Sequence, residues 1–169
     1  ISCYVSCSAE KILATDFTRV DCVKAEFLDV DYLSKVDFML LDSNTNALFS
    51  RASKVLEIGD MFCFLCEQEN KIVFFDSSGN YVKEVKRVGR GHGEYTYLND
   101  VVYDEHIEQI LMLVYPSAII RLDKNGKYLG SDPLDEYFDE ISVDKEYIYL
   151  TKSTYVNNKL SDYSLTVVN

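Results

Sequence analysis

Two stretches of this chain carry the same turn. Asp76-Ser-Ser-Gly79-Asn-Tyr81 and Asp123-Lys-Asn-Gly126-Lys-Tyr128 share their Asp, Gly and Tyr, and one spacing separates all three pairs. An apolar segment precedes each turn, Ile72–Phe75 and Ile119–Leu122, and another apolar run precedes each of those, Met61–Cys66 and Ile110–Tyr115. Glycine in that place can take positive φ, and the aspartate side chain can satisfy amides of its own turn. Short apolar segments repeating between polar turns exclude a helical bundle. They predict an antiparallel meander whose four-stranded unit has the size of a propeller blade.

The same punctuation continues on both sides of the repeat. Lys71–Phe75, Tyr81–Val88 and Leu98–Asp104 read as strands, with Glu67–Asn70 and Asp76–Asn80 as turns. Upstream, Phe17–Val20, Val23–Leu28 and Val36–Leu41 are predicted strands, the last ended by Asp42–Asn46, and Leu48–Ile58 has room for a strand pair. A third unit starts at Tyr137, with Ile141–Asp144, Glu146–Leu150 and Ser164–Val168. An aromatic content of 13% suits pleated, half-buried surfaces. The expected fold is therefore all-β, a partial β-propeller of about three blades of four-stranded antiparallel sheets. Their bounds fall near 36–95, 96–136 and 137–169, the last incomplete, within a domain over 9–169.

Charge and cysteines narrow the functions. Asp and Glu number 28 against 17 Lys and Arg, a net charge of -11, which excludes a phosphate backbone or an anionic membrane surface as partner. No apolar run reaches the roughly 18 residues of a membrane-spanning helix. Cys63-Phe-Leu-Cys66 has CxxC spacing, but on a strand residues three apart point to opposite faces, so the pair is read as buried small hydrophobes. No cofactor or metal is expected.

The connection Val88-Gly89-Arg90-Gly91-His92-Gly93-Glu94-Tyr95 resembles the G-x-G-P-G-E-Y signature of six-bladed β-propeller proteins from Bacteroidetes, many of them lipoproteins and related in layout to NHL-repeat propellers. As in that family, it follows the strand after the Asp76–Gly79 turn and precedes the next unit's first strand. His92 stands where the family has Pro. The resemblance covers the layout from about residue 30 to the end. It implies an inter-blade connection formed by Gly89, Arg90, Gly91, His92, Gly93, Glu94 and Tyr95. Six blades of about 45 residues need roughly 270 residues. The chain is accordingly expected to be part of a longer propeller, or to associate with a second copy.

Ile1-Ser-Cys-Tyr-Val-Ser-Cys-Ser8 is similar to the end of a bacterial lipoprotein signal, so residues 1–8 are expected to be its remnant, with Cys7 or Cys3 as the lipidated residue. That implies export to the cell envelope and a membrane link through acyl groups alone.

Chemistry is harder to find. Gly89-x-Gly91-x-Gly93 has no helix after it to hold a phosphate, so a structural connection is the expected role, with Glu94 accepting backbone amides and Tyr95 packed between blades. Arg87, Arg90 and His92 could face a ligand there. With only His92 and His106, a Ser/His/Asp triad has little to draw on. The expected function is non-catalytic binding of a ligand or protein partner. The alternatives are a nonfunctional truncated product, or a calcium-dependent lactonase- or esterase-like hydrolase drawing on Asn99, Asp100 and Asp144.

Overall fold

Lys71-Ile-Val-Phe-Phe-Asp76 is apolar without alternation because both faces of its strand are covered. The computed structural model describes residues 39–42, 47–156 and 159–168, all in the unit Met39–Asn169. Among them are three antiparallel sheets, each a simple meander. The first holds β1 (Lys54–Ile58), β2 (Met61–Cys66), β3 (Lys71–Asp76) and β4 (Tyr81–Val85). The second holds β5 (Tyr97–Asp104), β6 (Gln109–Tyr115), β7 (Ala118–Asp123) and β8 (Tyr128–Pro133). The third has three strands, β9 (Glu140–Val143), β10 (Ile148–Val156) and β11 (Lys159–Val168).

The sheets stack face on face. Cys63, Leu65, Ile72 and Phe74 of the first sheet meet Leu98, Val101, Ile110 and Met112 of the second. On the second sheet's other face, Leu111, Leu113 and Ile119 meet Ile141 and Leu150 of the third, with Phe138 between. The first sheet's outer face carries Cys66, Val73 and Phe75, covered by Leu41, Ala47 and Phe49. A strand in the middle of such a stack buries both sets of side chains, which is why the Ile110–Val114 run is unbroken. The same alternation sends Cys63 and Cys66 to different clusters, so the CxxC pair shares no site.

The repeat seen in the sequence extends to a backbone irregularity. Register shifts between Phe74 and Phe75 opposite Tyr81–Lys83, and between Arg121 and Leu122 opposite Tyr128–Gly130. Val82 and Leu129 are the extra residues, and both are exposed. Gly79 and Gly126 take φ of 84° and 73°. At Gly79 a Cβ would lie 2.1 Å from the Leu40 carbonyl oxygen, so the turn needs glycine for contact as well as for conformation.

Several predicted strands are corrected. Met39–Asp42 is not a strand; it lies along the first sheet's outer face, where the Asp42 amide donates to the Gly79 carbonyl. Only Lys54–Ile58 of the segment from Leu48 is a strand. β4 ends at Val85, since the chain must leave the sheet to enter the loop that pairs Val88 with Tyr95. β10 begins at Ile148 rather than Glu146, and β11 begins at Lys159. Phe17–Val20, Val23–Leu28, residues 36–38 of the predicted Val36–Leu41 strand, Cys3 and Cys7 lie outside the described residues.

Candidate functional site

Meander topology gives the stack two unlike ends. At one end lie the turns β3–β4, β5–β6, β7–β8 and β9–β10, each opened by an aspartate. Asp76 Oδ1 accepts the Ser78 and Asn80 amides, and Asp123 Oδ1 accepts those of Asn125 and Lys127. Asp104 and Asp144 do the same for His106 and Ile107, and for Glu146 and Tyr147. Hydrogen bonds from the Asn80 side chain and turn amides hold the Asp76 carboxyl below its usual range. The Tyr149 hydroxyl, 2.6 Å from Asp144 Oδ2, leads the same effect at Asp144. These carboxylates serve their own turns.

The other end carries the inter-sheet connections. Residues Arg87–Tyr95 close on themselves: the Gly89 amide donates to the Tyr95 carbonyl, the Tyr95 amide to the Arg87 carbonyl, and the Gly91 amide to Glu94 Oε2 at 2.8 Å. A Cβ on Gly89 would fall 2.0 Å from that same carboxylate oxygen. The Gly89, Gly91, Glu94 and Tyr95 amides are thus used within the loop and not turned to an anion. Tyr95 is fully buried between the first two sheets. Burial pushes its phenol pKa up, and the hydroxyl donates to the Asn70 carbonyl at 2.9 Å. Asn70, in the left-handed region at φ 54°, also accepts the Leu98 amide through Oδ1.

The other expected contact residues divide. Arg87 is engaged: its Nε donates to the Gly93 carbonyl at 2.7 Å, and its guanidinium lies 4.7 Å from the Tyr128 ring centroid. The His92 ring meets the edge of Tyr128, with Nε2 3.3 Å from the hydroxyl. Arg90 is exposed and lines a groove of about 380 Å³ between Gly89–Glu94 and the Tyr115–Pro116 turn. A second groove of about 250 Å³ runs along the loop's other side, past His92, Pro116 and Ser131.

Asn99, Asp100 and Asp144 are not brought together as a metal site. Asp100 is buried, and its two oxygens meet Lys54 Nζ, its neighbour's amide at Val101, and the Ile141 amide. Asn99 donates to the Phe138 carbonyl, while Asp144 sits at the opposite end of the stack. Among the described residues no three of His, Cys, Asp and Glu are placed to hold a metal ion. The thiols are equally removed from chemistry. Burial pushes the Cys66 pKa up to about 12 and that of Cys63 higher still.

Sequence reasoning missed the residues that mark this end. Tyr97, Tyr115 and Tyr137 are all exposed, and Tyr115 lines the first groove. The available signal was tyrosine placed just before or after a turn, where a strand leaves the core. Also missed were Asn70 and the Lys54–Asp100 pair, whose partners are distant in sequence.

The profile of a family described as "Domain of unknown function (DUF4934)" matches residues 17–169. No curated protein matches the chain. A crystal structure of a Bacteroides fragilis protein proposed to be exported is similar, with a TM-score of 0.71 at 18% identity over 85% of this chain. The chain spans 42% of that protein's length.

Proposed function

The chain belongs to the DUF4934 family, and from that premise we propose that it is a non-catalytic binding module: neighbouring blades of an exported β-propeller that takes a ligand or protein partner on its loop end. The observation that carries this reading is the contrast between the two ends. The aspartates of one are occupied by their own turns, while the other has a groove of about 380 Å³ beside the exposed Tyr115 and Arg90. Rigid sheets presenting connections at one rim are a common platform for recognition. Three four- or three-stranded meanders stacked face on face, with each connection returning to the next sheet's first strand, fit neighbouring propeller blades. Export is supported by the similar Bacteroides fragilis protein, and a lipid anchor at Cys7 or Cys3 by the residues around them. We read the chain as part of a longer ring, in keeping with its spanning 42% of that protein.

The test is thermal stabilisation of the folded chain by a panel of soluble envelope components, with hits located by chemical-shift mapping. Saturable binding at the loop end without turnover is expected. Calcium-dependent hydrolysis of a lactone or ester, lost on chelation, would replace this reading with the hydrolase one.

A further inference from the structure

Tyr97, Tyr115 and Tyr137 keep 43%, 52% and 40% of their surface exposed. Rings of this size normally bury most of their area, so three exposed neighbours form a patch. They are neighbours by three separate relationships. Tyr97 and Tyr115 are register partners on β5 and β6, which sets their side chains on one face. The Tyr115 and Tyr137 rings lie 6.3 Å apart at 62°, making a corner rather than a stack. Tyr97 is close enough to Tyr137 to act on its ionisation. The face is the one that carries Leu111 and Leu113 toward the third sheet, so the corner sits where the space between the second and third sheets opens at the loop end.

The surroundings are acidic. Tyr137 lies within Asp135-Glu-Tyr-Phe-Asp-Glu140, and of these carboxylates Glu136 is paired to Lys152 at 2.7 Å. Asp139 is close enough to Tyr137 to act on its ionisation, and its Oδ2 accepts the Ser153 amide at 2.6 Å. Burial and the neighbouring Asp139 charge push the Tyr137 pKa up, which keeps that ring a neutral phenol.

Faces of electron-rich rings backed by a carboxylate attract a cation. Ring faces beside that charge are the lining that recognises a quaternary ammonium, which asks for contact and field rather than hydrogen bonds. A guanidinium or primary ammonium would bring N–H groups in need of acceptors. A quaternary ammonium brings none. We propose that the Tyr97–Tyr115–Tyr137 corner binds the quaternary ammonium group of a small ligand, whose remainder extends past Tyr115 into the groove beside Arg90. This rests on the reading of the loop end as the ligand-binding face.

Choline is the probe, titrated into the full chain while tyrosine ring resonances are followed. Saturable shifts at Tyr97, Tyr115 and Tyr137 are expected, with affinity on the order of millimolar. The neutral isostere of choline, carbon in place of nitrogen, is expected to bind at least roughly fivefold more weakly. Tyr115→Ala removes the response, and Tyr115→Phe keeps it, since the ring face is what acts. Tyr115 and Tyr137 are both exposed, and circular dichroism verifies that each variant folds. Equal binding of the isostere, full binding by a Tyr115→Ala, Tyr137→Ala double variant, or no saturable binding of choline each overturns the proposal. Phosphatidylcholine vesicles distinguish the source: capture on them places the ammonium on a lipid headgroup, and choline binding without capture places it on a free molecule, the ammonium site standing in both cases. If choline fails while another ligand saturates the loop end, the cation assignment falls alone. If nothing binds that end, the reading beneath it falls too.

Discussion

The Lys54 ammonium lies 2.8 Å from one carboxylate oxygen of Asp100 and 2.9 Å from the other, joining the first strand of one sheet to the first strand of the next. Asp100 also accepts the Ile141 amide from the first strand of the third sheet. One buried carboxylate therefore touches all three sheets, and its two partners on the other sheets differ in what they lose without it. Lys54 is more than a third exposed and returns to water, whereas the Ile141 amide is buried. Asp100→Ala is expected to cost about 3 kcal/mol, the scale for stripping partners from a buried polar group. Lys54→Met is expected to cost less, about 1 kcal/mol, because the two amides still hold the carboxylate. Urea unfolding of both variants measures this. A larger loss for Lys54→Met would show the ion pair, not the amide contacts, to be the main link.

Gly59 and Gly79 separate two reasons for glycine. Both have positive φ, 60° and 84°, but a Cβ on Gly59 meets nothing within 4 Å, while one on Gly79 strikes the Leu40 carbonyl. Gly59→Ala is expected to cost about 1 kcal/mol, the conformational part alone. Gly79→Ala carries that cost plus displacement of the Met39–Asp42 segment, about 2–3 kcal/mol together. Similar unfolding midpoints for the two variants would mean that the segment yields freely.

Fold legibility followed how local the determinants were. The Asp76 and Asp123 turns, the strands between them and the opposite facing of Cys63 and Cys66 depend on residues within a few positions, and the sequence displays them. Met39–Leu41, the described part of the predicted Val36–Leu41 strand, has a strand's apolar pattern. What it covers, the Phe64–Phe75 face, is set by packing that no local pattern encodes. The loop at Gly89–Tyr95 was visible through its glycines, yet the engagement of Arg87 with Tyr128 depends on a residue 41 positions away (128 − 87). The tyrosine corner was hidden for a similar reason. A tyrosine in a strand reads as core until the neighbouring strand's end is placed beside it.

The thiols give a pH dependence with a definite sign. Burial raises the Cys66 pKa from 9.0 to about 12, and that of Cys63 further. Above pH 9 the unfolded chain releases these protons while the folded chain keeps them, so stability present below pH 9 is lost progressively up to about pH 12. Each thiol contributes a slope approaching about 1.4 kcal/mol per pH unit in that window. Replacing Cys66 by Ala should flatten the fall in urea midpoint between pH 9 and 11. At pH 8, iodoacetamide followed by peptide mapping should leave Cys63 and Cys66 unmodified until urea is added. Rapid native labelling of either would contradict the burial.

Tyr95 and Asn70 form the most exacting contact of the loop end. The Tyr95 ring fills the core between the first and second sheets, and its hydroxyl reaches the Asn70 carbonyl, whose own side chain caps the Leu98 amide at the start of β5. Tyr95→Phe retains the packing but leaves the Asn70 carbonyl without that donor and the Arg87 amide without its acceptor, an expected loss of about 1–2 kcal/mol. Asn70→Ala strips the Leu98 amide of its acceptor and puts a Cβ residue less suited to φ 54° in the turn, about 2 kcal/mol in all. Because both changes act at the junction, amide exchange should rise at Leu98 and Tyr95 before it rises at Met112 in the middle of β6. Exchange that rises uniformly across β5 and β6 would mean that the junction and the second sheet open together, and that Asn70 acts on the whole sheet instead of on its connection to the first.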